Sequence, residues 1–150
     1  MDRRWLVVQI ATLEAIHNTL QIPYDTFILL LALDGRGLSD RELRDGAVGL
    51  LRAGARCICA WGPDCERVHD AFDGAALELG FNNESGVIMT TWHDEESLKE
   101  ATWFAANSAF PDAKYAAADD ALLALSIGSR EWEAEIRGYL QAGTPIEDEA

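Results

Sequence analysis

The chain has 150 residues, 49% of them apolar, which suits one domain with a core able to fold alone and argues against a disordered chain. Twenty-six acidic residues against 12 basic ones leave a net charge of −14, and the pI is near 4.4. Such a balance argues against nucleic acid and anionic membrane as direct partners, because both need basic surface. The charge is unevenly spread: residues 1–56 carry seven basic and seven acidic groups, residues 57–150 five basic and 19 acidic ones.

The start Met1-Asp2-Arg3-Arg4 precedes an apolar run, but Gln9 and Glu14 interrupt it too early for a signal peptide. No apolar stretch approaches the ~18 residues needed to span a bilayer. Three cysteines, with Cys57 and Cys59 inside an apolar run, read as free thiols in a reducing compartment. The expectation is therefore a cytoplasmic protein. Residues 1–142 form one domain, and the acidic stretch 143–150 reads as a frayed, flexible tail.

Four strand–helix units follow one another. Phe27 to Leu33 is continuously apolar, the signature of a strand covered on both faces. After Asp34-Gly35-Arg36-Gly37, Ser39 and Glu42 have the spacing of a capping box, with Leu38 and Leu43 as its hydrophobic staple. Leu43, Ala47, Leu50 and Leu51 make the apolar stripe, and Gly54 stops the helix. The second unit is a strand from Arg56 to Trp61, then Gly62-Pro63 and a helix carrying Cys65, Val68, Phe72, Ala76 and Leu79 up to Gly80. The third is a strand from Gly86 to Trp92, with Asp94 as N-cap and Glu95 and Glu96 at the positive end of a helix running through Leu98, Ala101, Ala105 and Ala109 to Pro111. The fourth is a strand from Leu122 to Ile127, after which Ser129 caps a helix with Trp132, Ile136, Tyr139 and Leu140. Segment 114–121 is ambiguous between helix and extended chain. So is 5–24, where Trp5 to Ile10 suits an additional strand. This alternation predicts an α/β fold: a small three-layer sandwich with a mostly parallel sheet, flavodoxin-like or Rossmann-like.

In open parallel sheets, ligands bind beyond the carboxyl ends of the strands. That rule selects the loops Asp34–Gly37, Trp61–Asp64, Thr90–Glu95 and Ser126–Ser129. Trp61 and Trp92 leave two of these strands, where an indole can stack on a ring, anchor a protein partner or cap the core. Asp34, Asp64, His93, Asp94 and Glu95 gather in the same loops, and carboxylates there can hold a cation, act as acid and base, or cap helices. Arg36 could meet a phosphate, but the loop lacks both the G-x-G-x-x-G spacing and a G-K-[ST] ending, so a plain turn fits better.

Cys57 and Cys59 share one strand face, and Cys65 and His69 lie one helical turn apart. C-x-C with C-x3-H is a weak zinc spacing, and core packing explains it more simply. Trp61-Gly62-Pro63-Asp64-Cys65 is superficially like the thioredoxin turn, and a helix N-terminus lowers a thiol pKa. No cysteine precedes Gly62, however, so dithiol chemistry is excluded. Ser129 has no G-x-S-x-G elbow around it. No metal or cofactor is implied, and an enzyme is disfavoured. The segments Cys59-Ala60-Trp61-Gly62-Pro63-Asp64-Cys65-Glu66-Arg67-Val68-His69-Asp70 and Thr91-Trp92-His93-Asp94-Glu95-Glu96 resemble an uncharacterised family of small bacterial α/β proteins over residues 24–140, a resemblance that implies no activity.

Two functions lead, with a stand-alone structural or regulatory subunit without a ligand as a third possibility. One is a non-enzymatic acidic binding protein, such as a bacterial immunity or antitoxin-like protein that neutralises a basic partner. Asp64, Glu66, Asp70, Asp94, Glu95 and Glu96 would supply its charge, and Trp61 and Trp92 its anchors. The other is a nucleotide sensor or metal-assisted hydrolase working in the crevice at the carboxyl ends of the strands.

Overall fold

A computed structural model describes residues 3–143 of the chain. Five strands, β1 (Arg4–Ile10), β2 (Phe27–Ala32), β3 (Ala55–Trp61), β4 (Met89–Trp92) and β5 (Ala121–Ile127), form one sheet in the order β1-β5-β2-β3-β4. Every neighbouring pair is parallel. The continuous apolarity of β2 and β5 has its cause here: all six residues of β2 and all seven of β5 are buried, because helices cover both faces of the central strands. The strand at Trp5 to Ile10, ambiguous in the sequence, is real and forms one edge.

On one face lie α1 (Ile16–Thr19), α2 (Asp40–Ala53) and α3 (Cys65–Glu78), which with the turn Leu13–Ala15 pack Leu13, Ile16, Leu43, Leu50, Val68 and Phe72 against Leu29, Leu31, Leu123 and Leu125. On the other lie α4 (Leu98–Asn107) and α5 (Arg130–Ala142), whose Leu98, Ala101, Ala105 and Ile136 meet Ile28, Leu30, Leu122 and Ala124. Right-handed crossovers explain this division. The steps β1 to β2, β2 to β3 and β3 to β4 all move one way across the sheet. The step from β4 to β5 moves back, which puts α4 on the opposite side. The result is a doubly wound three-layer α/β sandwich of the flavodoxin and Rossmann kind.

Local chemistry sets the helix starts. Ser39 and Glu42 form the reciprocal capping box at α2, and Ser129 accepts from the Trp132 amide at α5. The start of α4 departs from the sequence reading. Ser97, not Asp94, is its N-cap, with Glu100 completing a capping box, so Asp94, Glu95 and Glu96 lie in the preceding loop. Strand β4 is also shorter than the predicted 86–92. Gly86 has φ +108°, its carbonyl accepts from the Tyr115 hydroxyl at 2.8 Å, and the next amide, that of Val87, donates to Asp112 Oδ2 at 3.0 Å, so the chain is held by residues 112–115 before it joins the sheet. The segment beyond Asp112, ambiguous in the sequence, is a kinked 3-10 stretch, Ala113–Asp120. Helix α4 ends at Asn107, and Ala109 is a buried loop residue.

Arg3 closes the amino end of the sheet. Its guanidinium donates to the Asp119 carbonyl at 2.6 Å, the Ala105 carbonyl at 3.0 Å, the Ala109 carbonyl and Asp119 Oδ1 at 2.7 Å, with the side chain 2% exposed. It thereby satisfies carbonyls at and just beyond the last turn of α4 that have no partner within the helix. The tail expected at 143–150 lies, apart from the α5 cap Gly143, outside the described residues.

Candidate functional site

The strand-exit loops meet along one rim, and the structure sorts the residues selected from the sequence into three groups. Asp34 and Arg36 form a self-contained turn. The Asp34 carboxylate accepts from the Arg36 backbone N–H at 3.0 Å, from Nε at 3.0 Å and from Nη2 at 2.8 Å. Those bonds and the adjacent cation hold the Asp34 carboxyl down at about 2. Asp64 belongs to the same knot. It sits at φ 65° and pairs with Arg67, which also donates to Asp40 Oδ1 at 2.9 Å, to the Gly35 carbonyl at 3.1 Å and to the Leu38 carbonyl. Arg67 thus ties the β2–α2 loop to the β3–α3 loop. At Gly62 (φ +123°) a side chain is impossible, since a Cβ would lie 2.2 Å from the Leu33 carbonyl oxygen.

The second group faces inward. Trp61 packs edge-on against Trp132 (centroids 5.0 Å apart), and its indole N–H donates to the Glu96 carbonyl at 2.9 Å. His93 is 4% exposed. Its Nδ1 donates to Glu96 Oε2 at 2.8 Å, its Nε2 meets Thr91 Oγ1 at 2.9 Å, and its ring lies against Phe104. The order hydroxyl, imidazole, carboxylate has the outline of a hydrolytic relay. Here the relay is an internal tie: the Thr91 hydroxyl also lies 3.4 Å from the Ile58 carbonyl, and the imidazole is packed inside the α4 layer. Trp61 and His93, expected as contact residues, therefore belong to the packing that shapes the rim.

The cysteines are buried as well. Cys59 is pushed well above the ordinary thiol range by donating to Cys57 and by burial, and the same hydrogen bond lowers Cys57. The start of helix α3 does not activate Cys65. Burial pushes that thiol up, more than the hydrogen bond from the His93 amide pulls it down.

The third group is exposed. Trp92 is 40% exposed and stands on the α3 face of the sheet, its ring 4.5 Å from His69. His69 lies between two carboxylates, with Nδ1 3.0 Å from Asp70 and Nε2 3.5 Å from Asp73. Asp73 also accepts from Thr90 Oγ1 at 2.8 Å. Glu66, Asp70, Asp73 and the 78%-exposed Leu77 recur at helical spacing along one side of α3. Exposed Asp94 and Glu95 continue the acidic border, and Asp94 is close enough to Cys65 to act on its thiol. His69, Asp70 and Asp73 place three ligand atoms within 4.8 Å of one another, a set that could hold a divalent cation.

The two indoles thus share a rim but stand on opposite faces of the sheet, Trp61 toward α5 and Trp92 toward α3. They do not flank one pocket. A cleft of about 280 Å³ lies instead between α4 and α5, lined by Trp5, Lys99, Trp103 and Tyr139. Another, of about 500 Å³, lies beside α2, lined by Leu13, His17, Arg41 and Asp45. Neither holds a residue selected from the sequence. Arg3, Arg67 and Asp73 escaped that selection, because their importance lies in contacts between segments far apart in the chain. Asp73 alone left a trace, its i+4 spacing from His69.

No described helix is long and apolar enough to cross a membrane. A family model described as a domain of unknown function (DUF7684) matches residues 7–142. No curated protein and no solved structure matches the chain.

Proposed function

Since the chain belongs to the family described as a domain of unknown function (DUF7684), we propose from its surface that it is a non-enzymatic acidic binding protein whose partner is a basic protein, as an immunity or antitoxin-like protein would be. One observation carries this reading: Trp92 stands exposed against α3 among Asp70, Asp73, Glu66, Asp94 and Glu95. An indole surrounded by carboxylates suits an apolar or cationic anchor within an electrostatically steered contact. Arg67 and Arg44, the basic side chains on this side, are already paired with Asp40, Asp64 and Glu78, so the remaining acids are not neutralised by them. The distribution of charge along the chain supports the same reading, as the excess falls wholly after residue 56.

The test is capture of partners on the immobilised protein, followed by association kinetics with each purified partner. Glu66→Lys/Asp70→Lys/Asp94→Lys should slow association at least about tenfold at low ionic strength while leaving thermal stability nearly unchanged, and added salt should erase the difference. Partners retained equally by the triple variant would refute the proposal.

The small-ligand alternative has one observation in its favour, the His69–Asp70–Asp73 trio. Divalent cations separate the two readings, because a cation at 100 times its dissociation constant stabilises the folded state by about 2.7 kcal/mol.

A further inference from the structure

We propose that the free edge of β4 takes an extended, lysine- or arginine-bearing segment of the partner as a sixth strand of the sheet. This rests on the acidic-partner reading and adds the mode of recognition. In a parallel ladder, alternate residues turn their N–H and C=O groups toward one neighbour. The His93 amide donates to the Ala60 carbonyl at 3.0 Å, so Thr91 and His93 face β3, while Thr90 and Trp92 present their main-chain groups outward. Among the described residues no strand lies beyond β4.

The opposite edge is treated differently. The Gly128 amide donates to the Ile10 carbonyl, so the Val7 carbonyl points away from β5, and there Arg137 Nη2 covers it at 3.0 Å. A charged side chain laid over outward carbonyls is a common guard against strand addition. Strand β4 carries no lysine, arginine, proline or bulge.

Charge selects the occupant. Asp73 accepts from Thr90, His69 beneath Trp92 lies between Asp70 and Asp73, and Asp94 and Glu95 follow directly in the chain. The nearby cations are held at the amino end, Lys114 on the carbonyls of Asn83 and Glu84, and Arg56 over the rings of Phe81 and Tyr115. A second copy of this chain, itself at −14, would set the same acids against each other. A basic strand instead brings cations alongside Trp92 and Asp73. The two outward residues fix the register and supply part of the affinity through main-chain pairing, and the indole and carboxylates supply the rest.

The probe is a synthetic peptide alternating Lys and Val, compared at low ionic strength with a version N-methylated at alternate residues and with a Glu–Val version. The Lys–Val peptide should bind and protect the Thr90 and Trp92 amides from exchange. N-methylation and Thr90→Pro should each weaken binding at least about tenfold, whereas Thr90→Val, which keeps the amide, should stay within about threefold. Should Thr90→Pro not fold, the methylated peptide gives the same answer on the unaltered protein. Equal binding of methylated and unmethylated peptides, or no binding of the Lys–Val peptide, overturns strand addition and leaves the parent reading to the salt-dependent capture experiment. Equal binding of the Glu–Val peptide sinks the charge argument itself.

Discussion

Replacing His93 separates a structural role from a contact role. The imidazole is 4% exposed, bonded on one side to Glu96 at 2.8 Å and on the other to Thr91 at 2.9 Å, and packed on Phe104 at 4.8 Å. His93→Ala deletes two hydrogen bonds, each contributing roughly 1 kcal/mol net, and leaves a hole where a buried ring stood, costing roughly 1–2 kcal/mol more. Glu96 is half-buried and regains water, which limits the loss, so the total comes to about 3 kcal/mol. For a chain of this size that lowers Tm by roughly 6–12 °C in calorimetry or a circular-dichroism melt. Glu96→Gln keeps an acceptor for Nδ1 and should cost less than about 1 kcal/mol. If His93→Ala melted within about 2 °C of the unaltered protein while weakening partner binding, the ring would be a contact residue and the assignment above would fail.

Arg3→Met keeps the apolar stem and removes four donated hydrogen bonds, leaving the Ala105 and Ala109 carbonyls and Asp119 without their partner; a loss of about 3–5 kcal/mol is expected from denaturant unfolding, with Asp119→Asn in a double-mutant cycle isolating the pair. Asp34 titrates in the folded protein at about 2, below its ordinary 3.8, because Arg36 bonds its charged form. Its contribution to stability is therefore complete above roughly pH 4 and disappears as pH falls toward 2. An NMR titration should give that low midpoint, and Arg36→Gln should move it up toward 3.8 but not fully, since the backbone N–H of residue 36 still donates.

The fold was legible because its signals are local and periodic. The unbroken apolar runs of β2 and β5 require cover on both faces. Ser39 and Ser129 with their amide partners mark the helix starts as written. Even the common rim of Trp61 and Trp92 follows from strands that all run one way. Which indole faces water did not follow. Trp61 and Trp92 both end strands, yet one lies against Trp132 beneath α5 and the other against His69 at an uncovered edge. The insertion of β5 between β1 and β2 places α4 and α5 over Trp61, and among the described residues β4 has no strand on its outer side. Arg3 to Asp119 and Arg67 to Leu38 are likewise contacts across long stretches of chain, which no spacing rule can register. Side-chain identity and short-range periodicity determined the layers of this molecule. Strand order, a property of the whole assembled sheet, decided which of its acids and aromatics face a partner.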